Sequence, residues 1–229
     1  MKKFFNISVL ATGMISFHFA PFAERNGHMN GKLDDFHIDV LNEIGNIGAG
    51  NAISALSKML GKRVDMNVAR AKIVDIPQVA YLVGGPENLI FGALVSLSGG
   101  FEGFMLFAID LKDAKRLAGL MVGNEEGCSG LSEMEFSALE ELVNILTGTY
   151  LAAIASMSGL NIRPSAPMVT MDMAGAILDI LAVESGATGD SVIFLGTDFI
   201  ENDNAINGEF FLIPKGDSYN NLFAALGVV

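Results

Sequence analysis

Between residues 34 and 60 apolar side chains recur at Ile38, Leu41, Ile44, Ile47, Leu56 and Leu60. The spacing keeps a period near 3.6 and predicts an amphipathic helix. Leu33-Asp34-Asp35 offers an Asp N-cap, and Gly61 suits the residue that ends the helix. A second helix is predicted over 132–158, with sharper ends. Ser132-Glu133-Met134-Glu135 has the form of a capping box, and Gly159 terminates the run. Each helix leads into segments that read as strands: 64–68, 89–97 and 101–109 after the first, and 168–174, 177–183, 191–199 and 206–213 after the second. Gly99-Gly100 and Asn202-Asp203-Asn204 mark turns between strands. Short helices over 110–121 and 217–226 close the two series, and 122–130 joins them. Strands that follow one another, instead of alternating with helices, predict an α+β fold with a largely antiparallel sheet.

The order of elements is written twice because the sequence is written twice. Laid on 137–159, residues 39–61 match at eight positions, namely Leu41/Leu139, Glu43/Glu141, Asn46/Asn144, Ile47/Ile145, Gly50/Gly148, Ala55/Ala153, Met59/Met157 and Gly61/Gly159. The offset is 98 residues throughout, too long for a solenoid repeat. It predicts a duplicated half-domain: two long helices packed on one sheet in a pseudo-two-fold body. The expected domain is 29–229, built from repeats at about 33–130 and 131–229.

Composition narrows the partners. The chain of 229 residues has 26 Asp and Glu against 14 Lys and Arg, a net charge of -12. That argues against nucleic acid or an anionic membrane surface, both of which need basic patches. With one cysteine, Cys128, no internal disulfide can form. Residues 1–28 stand apart. Lys2 and Lys3 precede an apolar stretch that resembles a signal peptide, but Asn6, Ser8, Thr12, Ser16 and His18 interrupt it. We read this segment as a leader or upstream extension, with Met29 as the natural start and a cytoplasmic protein behind it. It is expected to be dispensable.

The candidate chemistry lies on the repeated helices. Positions i, i+4 and i+7 share one helical face, so Asp39, Glu43 and Asn46 form one stripe and Ser137, Glu141 and Asn144 another. A solvated polar face is the common fate of such residues. Two facts favour a function. Both copies keep Glu and Asn while expected surface neighbours change, as at Asn42/Glu140 and Lys58/Ser156. Asparagine is also a poor helix former, yet it stands mid-helix twice.

Glycines compete for attention. Gly45-Asn46-Ile47-Gly48-Ala49-Gly50 has a superficial likeness to a phosphate loop, without its Lys-Ser/Thr and with no clear strand before it. A helical glycine is less favourable than alanine by about 1 kcal/mol, so close helix–helix packing is the expected reason for them. His18, His28 and His37 show no ligand spacing, and no Cys/His cluster suggests zinc. No metal or cofactor of the chain's own is expected.

Taken with their spacing, the stretches 39–59 and 137–150 closely resemble the CheC family of bacterial chemotaxis phosphatases. The family motif is Asp or Ser, three residues, Glu, two residues, Asn, and Pro after 22 more. Ser137, Glu141, Asn144 and Pro167 fit it fully; Asp39, Glu43 and Asn46 fit, but Ala69 holds the proline position. The resemblance implies hydrolysis of the aspartyl phosphate of the response regulator CheY. Asn46 and Asn144 would orient the water, Glu43 and Glu141 would dock on the regulator, and Asp39, Ser137 and Pro167 would support them. CheY would bring its own Mg²⁺. Pairing with the deamidase CheD is implied as well. Because related domains occur in the switch protein FliY, the competing reading is a non-catalytic flagellar-switch or adaptor protein that binds phosphorylated CheY or CheD. A third, an exported binding protein, rests on residues 1–28 alone.

Overall fold

The computed structural model describes residues 35–61, 63, 65–68, 71–123, 130–184, 191–201 and 204–228. The leader, Asp34, Ala69, Cys128, most of the 122–130 joint and the turn residues Asn202 and Asp203 lie outside these. The element order is α1 (Asp35–Leu60), β1 (Asp65–Val68), β2 (Lys72–Asp75), α2 (Ile76–Leu82), β3 (Leu89–Gly99), β4 (Gly103–Asp110) and α3 (Leu111–Val122). It then repeats as α4 (Glu133–Ser158), β5 (Ile162–Pro164), β6 (Met168–Met173), α5 (Ala174–Glu184), β7 (Ser191–Glu201), β8 (Asn204–Pro214) and α6 (Ser218–Ala225). The fold is α+β and duplicated, as the repeat predicts. α1 and α4 start 98 residues apart, whereas β3 and β7 start 102 apart. The shift of register between copies falls after β6, where α5 has 11 residues and α2 has 7.

Every strand pairing is antiparallel. The sheet order is β1-β7-β8-β4-β3-β5, with β2 also on β7 and β6 also on β3. Two hairpins, β3–β4 and β7–β8, therefore meet at the centre, where Leu106 stands opposite Phe211 and Phe107 opposite Phe210. Each half sends its short strands across to the other half's hairpin. β1 and β2 run along β7, and β5 and β6 run along β3.

The sheet is covered on both faces. Phe91, Ala93, Val95, Met105, Phe107, Ile193, Leu195, Phe210 and Leu212 point to the core under α1 and α4. Their alternate neighbours Ile90, Leu94, Leu106, Phe194, Phe211 and Ile213 point to a smaller core with Val79 of α2 and Ile177 and Leu181 of α5. Burial on both faces explains why the central strands read as unbroken apolar runs.

One predicted element is wrong. Residues 177–183 lie within helix α5, not a strand. The run Ala-Ile-Leu-Asp-Ile-Leu-Ala-Val is short and apolar, and such runs suit a strand or a buried helix equally. The structure buries Ala174, Ile177 and Leu181, a helical spacing, and exposes Ile180 and Val183. β2, α2 and β5 are further elements absent from the sequence reading. The remaining predicted strands and short helices are present, with ends shifted by a few residues.

Candidate functional site

The two long helices carry the candidate residues, and local chemistry fixes where α4 begins and where both helices end. At the start of α4 the Glu135 N–H donates to Ser132 Oγ, and Ser132 returns its own N–H and hydroxyl to Glu135 Oε2, both at 2.7 Å. These bonds hold the Glu135 carboxyl below its ordinary pKa, the backbone bond from Ser132 foremost. Gly159 closes the helix at φ +71 and Gly61 closes α1 at φ +62, a conformation that side chains rarely adopt.

In α4, Leu139, Leu142, Val143, Leu146, Tyr150 and Ile154 are buried against the sheet. By composition this is the one described helix long and apolar enough to cross a membrane. Half of the qualifying stretch is inside the core, however, and the opposite face carries Ser137, Glu141 and Asn144, all exposed. In α1, Leu41, Ile44, Ala52 and Leu56 are buried while Asp39, Glu43 and Asn46 are exposed. Each Glu/Asn pair thus faces outward from a rigid helix. A site of this shape is open to another macromolecule and encloses no small ligand. Among the described residues no cluster of His, Cys, Asp and Glu could hold a metal ion.

α1 and α4 pack on each other through their inner sides. A Cβ on Gly48 would lie 2.7 Å from the Tyr150 ring, so the expected helix–helix approach is real at this glycine. Tyr150 is fully buried, and its hydroxyl shares a 2.9 Å hydrogen bond with Thr197 of β7. Burial pushes its pKa up, with the Thr197 bond opposing. One side chain thereby joins both site helices to the sheet. Gly50 and Gly148 do not follow the same reasoning: both are exposed, and an added Cβ would meet nothing within 4 Å.

Pro167 does not join the α4 stripe. It is buried in the short connection between β5 and β6, which Ser165 pins to β3 through bonds with Ser96. Asn42 is the residue that sequence reasoning misplaced. It was expected on the variable surface. Instead it is partly buried, and its Oδ1 accepts the Ala71 N–H at 2.7 Å. Asn42 is four residues before Asn46, so this bond anchors the chain after β1 within one helical turn of the first site. The sequence held one hint, since the same connection lacks the proline of its counterpart.

Comparison with known proteins bears on the family and the fold. A family model described as CheC-like matches residues 36–68 and 134–171, once on each repeat. The CheY-P phosphatase CheC of Bacillus subtilis (strain 168) is 32% identical over 200 residues, 85% of this chain and 96% of that protein. The chain belongs to the CheC-like family. Its relatives include the flagellar motor switch phosphatase FliY of the same organism, 29% identical over 61% of this chain and 36% of FliY. Among solved structures, Thermotoga maritima FliY superposes with a TM-score of 0.68 at 20% identity, covering 86% of this chain and 98% of that one. The FliM middle domain of H. pylori superposes with a TM-score of 0.60 at 10% identity, over 86% of this chain and the whole of that one. At these identities the two structures establish the shared CheC-like fold.

Proposed function

We propose that this protein is a phosphatase that hydrolyses the aspartyl phosphate of CheY and so ends or adapts the motility signal. The observation that carries the proposal is the pair of exposed Glu/Asn stripes, one on each long helix, within a family whose B. subtilis member is named for this activity. An acyl phosphate is already activated. Its hydrolysis needs an in-line water and stabilised charge more than covalent chemistry from the enzyme. Asn46 and Asn144 are assigned to hold that water, since a carboxamide both accepts and donates hydrogen bonds. Glu43 and Glu141 are assigned to dock on the regulator, against its active-site lysine. Asp39 and Ser137, one turn earlier, support the same surface.

The regulator is expected to supply Mg²⁺ beside its own phosphoaspartate. CheD is a further expected partner, the cytoplasm the expected compartment, and 29–229 the expected functional domain. A non-catalytic flagellar-switch adaptor is the competing reading; the similar FliY is named both for the motor switch and as a phosphatase. Decay of phosphorylated CheY, with and without the purified protein, separates the two. Acceleration supports the phosphatase; binding without acceleration supports the adaptor.

A further inference from the structure

Glycine weakens the interior of a helix and persists where the room it leaves is needed. Gly48 has that reason within the molecule, in the Tyr150 ring. Gly50 and Gly148 have none. They lie in mid-helix, are exposed, and have open space where a Cβ would stand. Each follows its asparagine by four residues, which places it one turn further along the same outward stripe. The second copy replaces Gly45 and Gly48 with Val143 and Leu146, yet keeps Gly148.

We infer that Gly50 and Gly148 form the bare spots on which the regulator's backbone is seated, next to the asparagine that works on its phosphoaspartate. The inference rests on the function proposed above. A methyl group here would touch nothing in this protein but would hold the docked backbone away from Asn46 or Asn144. Catalytic geometry is intolerant of such displacement, about 1 Å being enough to slow a reaction on the order of a hundredfold. The requirement therefore comes from the partner, and its signature is unusual: the substitution that improves the helix should harm the enzyme.

The test uses the full chain with one site silenced. Gly148→Ala is made in an Asn46→Ala background, and Gly50→Ala in an Asn144→Ala background. Both the decay of phosphorylated CheY and the melting temperature are recorded. We expect kcat/KM to fall at least about tenfold, while Tm rises by about 2–4 °C. Unchanged kcat/KM in active backgrounds would overturn the inference and leave the proposed function standing. A lowered Tm would overturn it too, by showing that the glycines serve internal packing. An unmutated protein that leaves the decay of phosphorylated CheY unchanged would remove the functional reading itself, and the inference with it.

Discussion

Replacing Asn46 and Asn144 by alanine, singly and together, probes the proposed chemistry with little structural side effect. Both side chains are exposed, so truncation opens no cavity. Alanine is the better helix former by up to about 0.7 kcal/mol. In a body of this size that corresponds to a Tm raised by about 1–3 °C per site. Activity should move the other way. Removing one preorganised polar group from a transition state slows an enzyme by about 10²–10³. The two stripes are on separate helices and act in parallel, so their rates add and either single variant retains what the other site supplies. The second site fits the family motif throughout, so Asn144→Ala should remove the larger share and Asn46→Ala the smaller or an equal one. The double variant should fall to the regulator's own decay rate. The assay is single-turnover decay of phosphorylated CheY with each variant, beside a melting curve. Wild-type activity in the double variant would refute the assignment and restore the reading of two solvated polar faces. Complete loss in either single variant would refute the additivity.

Three further perturbations follow from the packing. Gly48→Ala drives a methyl into the Tyr150 ring; overpacking of about 1–3 kcal/mol should outweigh the helix gain, so Tm should fall where Gly148→Ala raises it. Asn42→Ala leaves the buried Ala71 N–H without its acceptor, a loss of about 1–3 kcal/mol that Asn42→Asp should restore; equal urea midpoints for the two variants would contradict the anchor. At high pH, burial holds the Tyr219 hydroxyl near pKa 12 and raises that of Tyr150. Unfolded tyrosine ionises near 10, so this stability is complete below about pH 10 and drains away as pH climbs toward 12. Melting curves from pH 8 to 12 should show the decline, with a smaller one in Tyr219→Phe; an identical decline would assign it elsewhere.

How much of this was legible in the sequence depends on how local the cause was. Helix α4 was readable at both ends because its caps are written in adjacent residues, Ser132 with Glu135 and then Gly159. The Glu/Asn stripes were readable because helical geometry alone places i, i+4 and i+7 together. α5 was misread because a run as short as 177–183 carries no decisive period. α2 was missed although Asp75, Pro77 and Gln78 signal a helix start, with the Asp75 N–H donating to Gln78 Oε1. The crossing of β1 and β2 onto β7 was invisible, since its partners are more than a hundred residues apart. The role of Asn42 was hidden for the same reason: its partner Ala71 is 29 residues away. For a helical glycine, sequence carries the helical penalty but not whether the beneficiary lies inside the molecule or outside it.

The duplicated architecture suggests why two sites can share one body and still diverge. Inside, changes between copies have to be matched across the α1–α4 contact. Gly48 of α1 meets the large Tyr150 of α4; the equivalent positions in the other copy hold Leu146 and Ala52, and all four residues are buried. Volume lost on one helix is thus regained on the other, as dense packing demands. Outside there is no such coupling. Asp39 against Ser137 and Lys58 against Ser156 differ, and all four are exposed. The first copy instead anchors the chain after β1 locally, through Asn42 and Ala71, where the second has a buried Pro167. Core asymmetry is therefore cancelled within the fold, while surface asymmetry remains available for the two sites to acquire different strengths toward the same regulator. Single-site variants would read that difference directly.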